Sequence, residues 1–226
     1  MTSTPRHIAV TPDGNRRWAK GRGLTTSEGH QAGAAAFVLF TELCARQGVE
    51  YLTMHAFSTD NWSRDPEEVS HMLDLLGQTV VDQLPQLRGL DVRLRWAGRR
   101  DRVPPSVREQ LEEVENQTRH NTGMTLTYCL DYGGRDAVAT AIATAAAIAG
   151  SPTVADVSDW IEPAGLPDVD LYLRTSGEMR LSNNVLWLLA YAELFFVEIN
   201  WPDFGAQEFD SLMKDFAQRH RRFGGT

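Results

Sequence analysis

Residues 7–18, HIAVTPDGNRRW, decide how the chain is read. Residues 8–10 form a short apolar run that Pro12 and Gly14 halt, the pattern of a buried strand ending in a turn. Asp13 then stands where a parallel strand would end, the rim at which open α/β sheets bind ligands. A carboxylate there can hold a hard cation, and Gly14 lets backbone N–H groups approach an anion. Asn15 adds an amide, and Arg16 and Arg17 add forked donors matched to phosphate oxygens. Together they point to a metal with a polyphosphate. Taken alone, the same residues are equally a surface turn.

The rest of the chain repeats the strand-then-loop pattern. Apolar runs at residues 8–10, 51–57, 92–97, 124–130, 171–173 and 194–199 are expected as strands. Amphipathic or alanine-rich stretches at 28–47, 66–87, 106–119, 135–149, 183–190 and 206–219 are expected as helices. This alternation predicts one α/β domain over residues 1–226, with a six-stranded, mostly parallel sheet flanked by helices. In helix 66–87, Val69, Met72, Leu73, Leu76 and Val80 make an apolar face. That face is either core or, with Phe37, Val38 and Phe40, the wall of an apolar tunnel between the sheet and two helices. Periodicity cannot separate the two.

The chain has 226 residues, 42% apolar and 23% charged, with a net charge of −8. The acidic balance argues against a general nucleic-acid binder, whose footprint is basic. Arginines nevertheless concentrate in particular loops. Cys44 and Cys129 fall in apolar surroundings and are expected as buried free thiols. No apolar run approaches the ~18 residues of a spanning helix, and no signal-peptide pattern opens the chain. A cytoplasmic location is expected, with peripheral membrane contact left open.

Further polar clusters follow predicted strands. Residues 58–64, STDNWSR, offer Ser58, Asn61 and Arg64 as substrate-orienting and phosphate-binding groups, or else form a surface turn. Residues 131–135, DYGGR, pair glycines at a helix start and are more readily a tight turn than an anion site. Residues 174–182, RTSGEMRLS, carry the strongest phosphate signal. Arg174, Arg180 and Ser182 surround a glycine directly after a strand, with no Walker sequence present. Glu193 precedes an apolar run, either as a paired structural acid or as a second ligand for a cation at Asp13.

At this point the chain resembles the cis-prenyltransferases, the family of undecaprenyl diphosphate synthase and its shorter-chain relatives. The resemblance rests on HIAVTPDGNRRWAK at 7–20, GHQAG at 29–33, AFSTDNWSR at 56–64 and DYGGR at 131–135. It continues through DLYLRTSGEMRLSN at 170–183, AYAELFF at 190–196, WPDF at 201–204 and RRFGG at 221–225. It implies that an allylic diphosphate ionises and that the alkene of isopentenyl diphosphate attacks to give a Z double bond. It further implies that Asp13 is catalytic and handles Mg²⁺ with the leaving diphosphate, cradled by Gly14, Asn15, Arg16, Arg17 and His30. Arg174, Arg180 and Ser182 would hold the second diphosphate, Glu193 would complete the Mg²⁺ site, and Asn61, the second catalytic residue, would lie with Arg64 near the condensing carbons. A homodimer is implied, with the RRFGG tail reaching the partner's site.

Several positions depart from the pattern of long-chain members. Asn184 stands where phenylalanine is usual, Leu188 replaces a glutamine, His55 a tyrosine, Asp60 a glutamate and Asp131 an asparagine. No tunnel-lengthening insertion lies between Glu68 and Val92, and Met124 is bulky enough for a tunnel floor. A short or medium product is expected. The changes at Asn184 and Leu188 raise the alternative of irregular, lavandulyl-type coupling of two allylic diphosphates. An inactive accessory subunit is disfavoured, because Asp13, Arg17, Arg174, Arg180 and Glu193 are all present.

Overall fold

A computed structural model describes residues 4–221. Six strands, β1 (His7–Thr11), β2 (Tyr51–Ser58), β3 (Arg93–Ala97), β4 (Thr125–Tyr132), β5 (Leu171–Arg174) and β6 (Glu193–Phe196), form one sheet. Their order is β3-β4-β2-β1-β5-β6, and every neighbouring pair is parallel. The helices are α1 (Asn15–Gly21), α2 (Thr26–Gln47), α3 (Pro66–Asp82), α4 (Leu84–Gly89), α5 (Pro105–Thr118), α6 (Gly134–Ala149), α7 (Val154–Trp160) and α8 (Ala206–Gln218). The RRFGG motif lies beyond residue 221 except for its first arginine, outside the described residues.

Alternation along the strands distributes the two cores. Ile8, Val10, Leu52 and Met54 face a large core with Phe37, Phe40, Leu73 and Val107 from the helices of one face. Ala9, Cys129 and Tyr172 face a smaller one with Ala137, Ala141 and Val157 of α6 and α7. Both cysteines are free and fully buried. β1 lies between β2 and β5, so the chain passes to opposite sides of β1. Such a switch point opens a crevice at the carboxyl ends of the strands.

Three expectations about elements are corrected. The helix expected at 66–87 is two helices broken at Gln83, because Pro85 has no N–H to continue the first. Residues 183–190 are not a helix. Asn183 has φ 56°, and its carbonyl and side-chain oxygens accept Gly134 N–H (2.7 Å) and Arg135 N–H (2.8 Å) at the start of α6. Met124 precedes β4, at the amino end of the strands, and packs in the core rather than flooring a cavity.

His7 ties the β1 start to its surroundings. Nδ1 donates to the Pro167 carbonyl and Nε2 accepts from the Thr53 hydroxyl, each at 2.8 Å, which fixes one neutral tautomer. Burial lowers its pKa to about 4 from 6.5. The folded protein thus binds the proton less readily than the unfolded chain. Its contribution is complete above pH 6.5 and is lost as pH falls from there through about 4. The expected loss is about 3 kcal/mol. Urea titrations of wild type and His7→Gln at pH 7 and pH 4 check this: the variant's stability should depend less on pH across that window.

Candidate active site

The functional side chains converge where the sheet switches direction. Asp13 follows β1, Ser58 ends β2 and Arg174 ends β5, where Thr11 pairs with Arg174. A cavity of about 570 Å³ opens there, lined among others by Asp13 to Arg17, His30, Ser58, Asn61, Arg64, Arg174, Arg180 and Ser182. Its rim is polar. Below, Ala34, Phe37, Met72, Leu75, Leu76 and Tyr128 supply an apolar wall. The open question about α3 resolves into both answers. Val69, Leu73 and Val80 are core, whereas Met72 and Leu76 line the cavity. Phe37 lines it too, while Val38 and Phe40 belong to the core.

Arg174 and Asp13 form the centre. Arg174 is buried, and its NH2 donates to Asp13 Oδ2 at 2.9 Å. NH1 donates to Ser182 Oγ (2.6 Å) and to the Arg180 carbonyl (2.8 Å). Its Nε is buried without an acceptor, an arrangement that invites an anion, since an unmet charged donor is costly. Asp13 Oδ1 accepts the Gly14 N–H at 2.7 Å. Arg17 lies 3.6 Å from Asp13 and 2.9 Å from Glu178, and donates to the Ser176 carbonyl. Arg180 also pairs with Glu178, and this contact holds the Glu178 carboxyl below its usual range.

A second basic group gathers around Glu68. Arg64 is 3.3 Å from it and Arg16 3.7 Å. His30 is nearby; burial lowers its pKa, and the Glu68 charge opposes that shift. Asn61 Oδ1 accepts the Ser58 N–H at 3.0 Å, capping a 3₁₀ turn over Thr59–Ser63. That leaves the Asn61 amide N–H donors for a ligand.

Gly14 has φ 104°, and a Cβ there would lie 2.4 Å from Asn200 Oδ1. Only glycine fits this turn. Ser176 at φ 71° and Ser182 at 46° strain the loop after β5. Strain of this kind concentrates at ligand sites.

One predicted ligand is not brought in. Glu193 opens β6 and pairs with Leu171 at the amino end of β5, whereas Asp13 lies beyond the carboxyl end of β1. At roughly 3.3 Å per residue the two acids sit on opposite rims. Glu193 bonds Arg219 at 2.8 Å, the paired structural acid of the two readings.

A family model described as "Putative undecaprenyl diphosphate synthase" matches residues 11–224. The chain belongs to this family of cis-prenyltransferases. It is 43% identical over 229 residues to a trans,polycis-polyprenyl diphosphate synthase ((2Z,6E)-farnesyl diphosphate specific) of Thermobifida fusca, covering 98% of this chain and 81% of that one. An isoprenyl transferase of Brucella abortus is 42% identical over 99% of this chain and 91% of its own. Among solved structures, lavandulyl diphosphate synthase from Lavandula x intermedia with dimethylallyl diphosphate superposes with TM-score 0.94 at 29% identity, covering 98% of both chains. A probable undecaprenyl diphosphate synthase from Campylobacter jejuni gives 0.83 at 30% identity, covering 98% and 99%.

In this cis-prenyltransferase some supporting residues escape a sequence reading. Thr175 Oγ1 accepts the Asp13 N–H (2.8 Å) and donates to the Asp13 carbonyl (2.7 Å). Ser176 Oγ bonds Asn200 Oδ1 at 2.7 Å, and the Trp201 N–H reaches the Asp13 carbonyl at 2.9 Å. The one available signal was a hydroxyl pair directly after Arg174 and an amide preceding WPDF.

Proposed function

We propose that this cis-prenyltransferase transfers the prenyl group of an allylic diphosphate to isopentenyl diphosphate and releases a short or medium Z-prenyl diphosphate. The observation that carries the reading is the buried Arg174, held by Asp13 and Ser182 with its Nε unmet, at the mouth of a partly apolar cavity of about 570 Å³. Arg16, Arg17, Arg64 and His30 suit the allylic diphosphate, and Arg174, Arg180 and Ser182 suit the second. As the C–O bond breaks, charge grows on the leaving diphosphate, where prepositioned guanidinium groups stabilise it most. The apolar wall keeps water from the cation and receives the growing chain.

A divalent cation fits one carboxylate among arginines. Mg²⁺ commonly takes one or two protein carboxylates and leaves its other positions to water and substrate phosphates. Asp13, partly exposed at the rim, would hold it, and the described residues contain no cluster of three or more metal-ligating side chains. The bound ion would stabilise the departing diphosphate. We extend the reading to a homodimer, supported by β6 at the sheet edge with Leu194 exposed.

Irregular coupling of two allylic diphosphates is the second reading. Its support is the TM-score of 0.94 against lavandulyl diphosphate synthase and the fully buried Asn184, which donates to Thr11 Oγ1 at 2.9 Å beside Arg174. Incubation with dimethylallyl and geranyl diphosphates, with and without isopentenyl diphosphate, separates them. Elongated products only when isopentenyl diphosphate is present are expected. A branched product in its absence would establish the second reading.

A further inference from the structure

His55 is a polar side chain that neither reading employs. It is 7% exposed and lines the cavity, and no hydrogen bond of ordinary geometry reaches either ring nitrogen. The neighbouring Asn184 amide gives one Nδ2 hydrogen to Thr11 and accepts the Val185 N–H on Oδ1 at 2.7 Å, so among the described residues its second N–H faces no acceptor other than this ring. Tyr132 meets the ring edge-on, with centroids 6.1 Å apart. A buried imidazole with both nitrogens unmet is costly unless a ligand or water uses it. Strand β2 therefore delivers an unengaged lone pair to the chamber that holds Asn61 and Arg174.

Prenyl coupling needs such a lone pair. The C–O bond of the allylic diphosphate breaks with both electrons leaving on the diphosphate. The alkene of the second substrate supplies the pair for the new C–C bond and becomes a cation. A C–H bond next to that cation must then break, its electrons forming the product's double bond.

We propose that a ring nitrogen of His55 accepts this proton. The inference rests on the prenyl-transfer reading but holds for regular and irregular coupling alike. The imidazolium then passes the proton to the released diphosphate or to solvent. Burial keeps the resting ring neutral, lowering its pKa to about 4; the Asn184 side chain and the Asp60 charge oppose that shift, and Arg174 adds to it. A base this weak suffices, because a carbon acid beside a cationic centre is far stronger.

The test measures pyrophosphate release and organic products for wild type, His55→Ala and His55→Gln with the same two diphosphates. Coupled product from wild type upholds the transfer reading independently of His55. For His55→Ala, kcat is expected to fall about a hundredfold, with KM for both substrates within about twofold and a larger share of allylic alcohol from water capture. Added imidazole should restore the rate at least about tenfold, a rescue that a merely structural role would not give. His55→Gln keeps a polar side chain of similar reach and carries the test if the alanine variant does not fold; it should show the same kcat loss. A folded His55→Gln within about threefold of wild-type kcat would overturn the assignment and leave the diphosphate as the acceptor. So would a His55→Ala defect that imidazole leaves unchanged.

Discussion

Replacing Asp13 with alanine is expected to lower kcat by about a thousandfold or more. The carboxylate holds Arg174 NH2 at 2.9 Å and receives the Gly14 N–H at 2.7 Å, so it orients the donors of both diphosphate groups. It is also the acid suited to a cation at the leaving group. A useful signature lies in the split between constants. Asp13 carries the same charge sign as the substrates, so its removal leaves KM nearly unchanged or lowers it, while kcat collapses. Asp13→Asn should behave alike, since an amide keeps the shape but cannot neutralise a cation. Arg174 retains Ser182 and the Arg180 carbonyl, so the fold survives both changes. Steady-state kinetics at several Mg²⁺ concentrations, with melting curves as a fold control, check this. Activity of Asp13→Ala within about tenfold of wild type would remove Asp13 from the centre of the site.

The sheet was legible because parallel strands buried on both faces are written as short apolar runs between turn residues. The rim was legible because Asp13, Ser58 and Arg174 each follow or end such a run, and connectivity alone brings those positions together. The same rule places Glu193 correctly: an acid that precedes a parallel strand lies on the opposite rim from one that follows a strand. Pro85 likewise marks the break in helix 66–87. Other features were beyond local pattern. Residues 183–190 have helical spacing, but Asn183 gives its oxygens to the start of α6, a tertiary partner that overrides propensity. Thr175 and Asn200 act through hydrogen bonds between loops far apart in sequence. No periodicity encodes such contacts.

Trp201 shows how far the site depends on packing, and Trp201→Ala is expected to cost about 4 kcal/mol of unfolding free energy. The indole is 1% exposed, lies 5.4 Å from the Phe40 ring and stacks on Phe204 at 5.9 Å and 20°. Its Nε1 donates to the Gly33 carbonyl at 2.9 Å, so alanine leaves a void and removes the hydrogen bond that ties the indole to α2. For a chain of this size the melting temperature should fall by about 8–16 °C. The damage also reaches the chemistry. Gly33 sits against Asn15 so closely that a Cβ there would lie 2.5 Å from its Nδ2, and the Trp201 N–H anchors the Asp13 carbonyl. Collapse of α2 into the void would therefore shift the diphosphate cradle, and activity should drop well below the melting transition. Trp201→Phe keeps most of the volume but not the N–H, and should lose about 1–2 kcal/mol while retaining most of the activity. Calorimetry paired with kinetics at 20–25 °C below each variant's midpoint decides the matter: a Trp201→Ala protein melting within a few degrees of wild type would show that Phe40 and Phe204 close the gap without it.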